Sequence, residues 1–169
     1  MLACKIRPQA AAPGFRAAPL ASDRVRIRPV EPGDTEAVGD VFLAALAGMT
    51  YLPELHTEEE TRAFIRDVLL PHNEVWVAED GGRVIGFTGL GDDSVRHLWV
   101  LPEEQNRGVG TALLELAKER RPEGLQLWVF QRNVGARRFY ERHGFTLAQL
   151  TDGSRNEERE PDALYVWKP

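Results

Sequence analysis

The segment "LWVLPEEQNRGVGTALLELA", residues 98 to 117, constrains the fold more than any other. An apolar run of strand type meets Pro102, then a short charged loop, then Gly108 and Gly110 one residue apart. The chain then enters "TALLELAKERR", which has the pattern of an amphipathic helix. A helix entered in this way exposes its first N–H groups, which have no intrahelical acceptor and carry a partial positive charge. Glycine has no Cβ, so a ligand can approach the backbone closely and unusual φ values are cheap. The junction therefore reads as an anion site, with phosphate the first candidate, and Gln105 and Arg107 as added side-chain donors.

Two common phosphate motifs do not fit. A Walker loop ends in Gly-Lys-Ser/Thr, and "GVGTAL" has no lysine. A dinucleotide fingerprint needs a third glycine where Leu113 stands, and an acid near the end of the next strand, where "LQLWVFQRN" has none.

The surrounding pattern is mixed α/β. "RVRIRPV" alternates as an edge-like strand, and "EPGDTEAVGDVFLAALAGM" reads as a helix with Asp34 at its N-cap. Thr57 and Glu60 form a capping box for a second helix, "EEETRAFIRDVLL", which Pro71 is expected to stop. "EVWVAE" and "RVIGFTGL" flank "DGG", a hairpin signal, and "SVRHLWVL" is a further strand. After the glycine loop and its helix come a strand "LQLWVF", a helix over "NVGARRFYERHG", and strands "FTLAQL" and "ALYVWK". The order is βααβββαβαββ.

Length and charge set the outer limits. The 169 residues suit one domain, assigned to 23–169, preceded by an Ala/Pro-rich segment over 1–22 that reads as a disordered tail. That segment carries +3 from Lys5, Arg7 and Arg16, so the rest of the chain carries −8 within a net charge of −5. This balance argues against a nucleic-acid footprint and is compatible with a cationic substrate. Cys4 is the one cysteine and no apolar run is long enough to span a bilayer, so a cytoplasmic protein without a membrane partner is expected.

Two motifs in this order decide the family expectation. "QNRGVG" matches Gln/Arg-x-x-Gly-x-Gly/Ala, and "LWVFQRNVGARRFYERHGF" carries Asn, Ala, Phe-Tyr and Gly-Phe after a strand. Together they resemble the GNAT superfamily of N-acetyltransferases, over residues 24 to 168 and most tightly over 98 to 145. The resemblance implies the GNAT fold, with splayed central strands over a loop and helix that hold acetyl-CoA as co-substrate, and no metal. It implies that the backbone at Gln105, Asn106, Arg107, Gly108, Val109, Gly110 and Thr111 holds the CoA pyrophosphate. Leu98, Val100, Asn133, Ala136 and Tyr140 complete that cofactor site, with Asn133 on the pantetheine arm. By the same resemblance, Tyr140 would protonate the departing thiolate and the Val100 N–H would serve the oxyanion. Independently of the family, Asn133 and Tyr140 lie about two turns apart and share a helix face, with Ala136 and Arg137.

The resemblance implies an acceptor that is a primary amine of a small molecule, peptide or protein, and a monomer or homodimer is expected. A non-catalytic acyl-CoA-binding or interaction module on the same fold is the alternative. His97 is a candidate base because imidazole titrates in the useful range, and alternation puts it on one strand face with Val95 and Trp99. Tyr51, Glu54 and His56, between the first two helices, are candidate acceptor residues. The loop "TDGSRNEEREPD" reads as a solvated hairpin connection. If it overhangs the cleft, Glu157, Glu158 and Glu160 favour an amine while Arg155 favours a carboxylate, so charge alone does not choose. Trp76, Trp99, Trp128 and Trp167 fall in strand patterns and read as core or sheet face.

Overall fold

Strand alternation and turn residues lay down two antiparallel sheets. The computed structural model describes residues 25–169, so the tail expected over 1–22 lies outside the described residues. The first sheet has the order β1-β2-β3-β4, from Val25–Pro29, Glu74–Asp80, Arg83–Leu90 and Val95–Val100. Gly81 and Gly82, with φ of 58° and 88°, make the β2–β3 turn, where both central positions must be left-handed. The second sheet has the order β5-β7-β6, from Leu125–Phe130, Asp162–Trp167 and Thr146–Leu150. Among the described residues one parallel bridge, Ser94 to Gln126, joins the two sheets, with Gln126 N donating to Asp93 O at 2.9 Å. Beyond it β4 and β5 share no ladder and diverge.

The helices follow the expected order. They are α1 (Thr35–Ala47), α2 (Glu58–Phe64), α3 (Leu70–His72), α4 (Val109–Arg120) and α5 (Val134–Arg142). Phe42 of α1 meets Trp99 with ring centroids 4.7 Å apart. Val109 of α4 lies behind the sheet, where a Cβ on Gly86 would sit 3.3 Å from both Val109 Cγ1 and Val100 Cγ2. Trp99 and Val100 alternate, so α1 and α4 cover opposite faces. Leu113 and Leu116 of α4 belong to the core of the first sheet, and Leu114 and Ala117 to the core of the second. Each such buried leucine contributes about 1.5–3 kcal/mol, so α4 is the buttress that holds the sheets together behind their divergence.

Three local expectations resolve in the structure. The Thr57–Glu60 box forms, with Thr57 N donating to Glu60 Oε2 (2.8 Å) and Glu60 N to Thr57 Oγ1 (3.2 Å). Asp34 stands at the N-cap of α1 but its side chain makes no cap bond. It takes two bonds from Arg28, at 2.6 and 2.9 Å, and one from Glu31 N at 2.8 Å, and the Arg28 guanidinium holds its carboxyl below the usual carboxylate range. The second helix runs on through a π turn over Ile65–Leu69 and ends at His72, one residue past Pro71, where Asn73 turns extended, so it stops where the proline was expected to stop it. No helix among the described residues is long and apolar enough to cross a membrane.

Candidate active site

The glycine loop takes the conformation its residues were read to permit. Gly108 is the N-cap of α4 with φ 87° and ψ −8°, and Asn106 is also left-handed at φ 60°. Ala112 N donates to Gly108 O at 3.0 Å, the first bond of the helix. Among the described residues no backbone or side-chain acceptor takes a hydrogen bond from the N–H of Gly108, Val109, Gly110 or Thr111. The side chains expected to add donors brace the loop instead. Gln105 Nε2 donates to Val100 O (3.3 Å), and Arg107 pairs with Glu104 (2.6 Å).

The end of β4 offers a second row of backbone groups. Leu101 N donates to Ile85 O at 3.0 Å, so the pairs Gly86–Val100 and Thr88–Leu98 fall at the non-hydrogen-bonded positions of the ladder. The N–H groups of Leu98 and Val100 therefore point away from β3, into the gap where β5 has diverged. The family resemblance assigned both residues to the cofactor site, and the register leaves their N–H groups unpaired with β3.

On α5, Asn133 caps the helix, its Oδ1 accepting from Ala136 N at 3.0 Å. Asn133, Ala136 and Tyr140 all line the same cleft as Leu98, Val100, Gly108, Gly110 and Thr111. Tyr140 is buried among Phe139 and Phe145, and burial raises the pKa of its phenol, which keeps its proton throughout the ordinary pH range. Among the described residues its hydroxyl has no hydrogen-bond partner. Arg137 turns away from this face and donates to Tyr165 Oη at 3.1 Å.

A contact the sequence did not reveal ties the two motifs together. His143 Nδ1 lies 2.7 Å from Phe139 O, and a carbonyl can only accept, so Nδ1 carries the proton. Nε2 then faces Thr111 Oγ1 at 3.2 Å, across from the start of α4.

The cleft has a volume of about 1130 Å³ and continues from the glycine loop and α5 to Ala45 of α1, Met49 just beyond that helix, and the β6–β7 loop. Trp128 of β5, in the sheet as expected, is 52% exposed and forms part of this wall. The β6–β7 loop is the hairpin connection expected, with Asp152, Ser154, Arg155, Glu157 and Arg159 exposed, and it also borders the cleft. Thr151, Arg155, Asn156, Glu158 and Asp162 all line the cleft.

Other expected site residues lie elsewhere. His97 is outside the cleft lining, on the Trp99 face, with its ring 6.4 Å from Phe42 and 6.2 Å from Phe64. Burial, with a smaller contribution from Arg96, pushes its pKa down to about 4. Tyr51, Glu54 and His56 are also outside the lining. Tyr51 packs its ring edge-on to Phe130 at 6.3 Å, its hydroxyl is buried without a partner among the described residues, and burial raises its pKa. Glu54 is exposed, and His56 Nε2 lies 3.1 Å from Glu157 Oε1.

Comparison with known proteins places this arrangement. The fold is that of the acetyltransferases: it superposes on apo YjaB from Escherichia coli with a TM-score of 0.70 at 23% identity, over 85% of this chain and 97% of that one. It is similarly close to the PaiA N-acetyltransferase from Thermoplasma acidophilum, solved in complex with coenzyme A, with a TM-score of 0.68, 20% identity, and 86% and 99% of the two chains covered. The family model for the acetyltransferase (GNAT) domain matches residues 71–147. The peptidyl-lysine N-acetyltransferase YiaC of Escherichia coli (strain K12) is 34% identical over 104 residues, which cover 61% of this chain and 69% of YiaC. The chain belongs to the GNAT family of acetyltransferases.

Proposed function

We propose that the protein transfers the acetyl group of acetyl-CoA to a primary amine of a small molecule, peptide or protein. The observation that carries this reading is a run of N–H groups without acceptors, Gly108 to Thr111, opening into the same cleft as Tyr140 and the end of β4. Those groups, at the positive end of α4, suit the pyrophosphate of CoA. The Nδ2 of Asn133 suits a carbonyl of the pantetheine arm, since its Oδ1 is committed to the helix cap.

In this reading the amine nitrogen attacks the thioester carbonyl carbon, and the carbon–sulfur bond breaks as the tetrahedral intermediate collapses. The Val100 N–H, unpaired within the sheet, donates to the oxygen that becomes negative. The Tyr140 phenol supplies a proton to the departing thiolate. The attacking amine loses its protons to water in the open cleft. His97 has no place in this scheme, because it lies outside the cleft and burial holds it neutral and weakly basic.

Thermal unfolding with acetyl-CoA, CoA and inorganic pyrophosphate tests the donor site. At a hundred times its Kd a ligand stabilises by about 2.7 kcal/mol, which for a chain of this size is roughly 5–10 °C. A shift with acetyl-CoA and CoA that far exceeds any pyrophosphate shift is expected. No shift with either ligand would overturn the assignment.

A further inference from the structure

The β6–β7 loop carries seven charged residues between Asp152 and Asp162. Five of them are committed within the protein. Asp152 accepts from Ser154 N (2.9 Å), and Arg159 donates to Ser154 O (2.7 Å). Glu157 meets His56 (3.1 Å), Glu160 meets Arg132 (3.2 Å), and Asp162 accepts from Thr151 and Asn156. The remaining two, Arg155 and Glu158, have no hydrogen-bond or ion-pair partner among the described residues, and both line the cleft. The conflict of sign in the loop's composition thus reduces to one cation and one anion, three residues apart in the chain.

The loop is built to hold them in place. Gln131 Nε2 donates to Thr151 O (2.8 Å) and Asp162 O (3.0 Å), clamping the two ends. Asn156 bonds Glu160 in both directions, Nδ2 to O at 2.8 Å and Glu160 N to Oδ1 at 3.2 Å. Gly153, at φ 78°, packs so tightly on Glu160 that a Cβ there would lie 2.4 Å from its carbonyl carbon. A braced loop loses little conformational entropy when its side chains engage a ligand. Arg96, on β4, is a further cleft-lining cation without a partner among the described residues, and Trp128 and Phe130 supply an apolar wall.

We infer that the acceptor is a small zwitterion, an α-amino acid with an apolar side chain, whose ammonium is drawn to Glu158 and whose carboxylate is drawn to Arg155. This rests on the acetyl-transfer reading above and narrows it. Arg suits a carboxylate because its planar fork can bond both oxygens. A purely cationic amine, including a lysine side chain of a peptide, leaves Arg155 and Arg96 facing it with like charge.

The test measures thiol release with saturating acetyl-CoA and the standard α-amino acids, each beside its carboxamide and its decarboxylated amine, with an end-blocked lysine tripeptide as a further acceptor. For at least one apolar amino acid, kcat/KM is expected to exceed that of its carboxamide and its amine by about tenfold or more, the order of one charge-assisted bond. Arg155→Gln should bring that ratio close to one, and Arg155→Glu should reverse it in favour of the amine. Equal rates across each trio, no amino-acid turnover, preference for the lysine peptide, or an unchanged ratio in Arg155→Gln would each overturn the inference. Acetyl-CoA stabilisation of the same preparation separates the two failures. A thermal shift without amino-acid selectivity removes only the acceptor assignment, whereas no shift removes the acetyl-transfer reading itself.

Discussion

At the α4 end of the cleft the polar groups are backbone N–H groups from Gly108 to Thr111, whereas at the β6–β7 end they are side chains, Arg155 and Glu158 among them, carried on a braced loop. The first kind of site depends on where the chain can go, so it demands glycine at a left-handed position and a helix immediately after it. The second depends on which side chain stands on a loop that many sequences can form. A donor common to a family suits the first, and an acceptor particular to one protein suits the second.

The largest effect belongs to the residue between the two ends. Tyr140→Phe should lower kcat by about 10²–10⁴ while leaving the thermal shift with acetyl-CoA in place, as expected of a proton donor. Unchanged turnover would remove Tyr140 from the chemistry. Gly108→Val addresses the α4 end alone. A β-branched residue at φ 87° costs roughly 1–2 kcal/mol of stability and displaces the N–H row. Its acetyl-CoA shift should disappear at ligand concentrations that shift the wild type, and a normal shift would show that the backbone is not what holds the donor.

His97 measures what lies outside both ends. Its folded pKa of about 4 is below the reference value of 6.5, so between those limits the unfolded chain binds more protons. The neutral, buried ring therefore favours folding above pH 6.5, and that contribution is lost as pH falls toward 4. At 1.36 kcal/mol per pKa unit the loss is on the order of 3 kcal/mol. His97→Gln should flatten the stability profile in this window and leave the pH dependence of kcat near neutrality unchanged. A lost neutral limb would make His97 the base after all. The smallest effect belongs to the exposed His56–Glu157 pair at the β6–β7 end. Glu157→Gln should change stability by less than about 0.5 kcal/mol in chemical denaturation.

The same contrast explains what the sequence made legible. Alternation, the Gly81–Gly82 turn and the Thr57–Glu60 box placed the strands and the start of α2, because each rests on local stereochemistry. Gly108, Asn133 and Tyr140 were legible because their spacing is fixed by a loop and two helical turns. Pro71 stands at the end of its helix as read, but the π turn over Ile65–Leu69 was not legible, because nothing in "FIRDVLL" marks it. Glu104, Glu160 and His56 gave no sign of which charges they would cancel. Ion-pair partners across the fold are set by tertiary placement, so only the structure separates the paired charges of the β6–β7 loop from Arg155 and Glu158. His143 opposite Thr111 was invisible for the same reason.

The Ser94–Gln126 bridge leaves β4 and β5 as two strand edges that face each other and do not pair. Unpaired edges are the places where separate chains add to one another, and native folds generally shield them. Here the shield is α4, whose leucines divide between the two cores. When α4 loosens, the row that leaves the Val100 N–H open for chemistry becomes a row open to a strand of a neighbouring molecule. Partial unfolding is therefore expected to favour self-association along the β4 edge, and a ligand that fills the gap between β4 and β5 is expected to oppose it, which light scattering during thermal unfolding with and without acetyl-CoA would check.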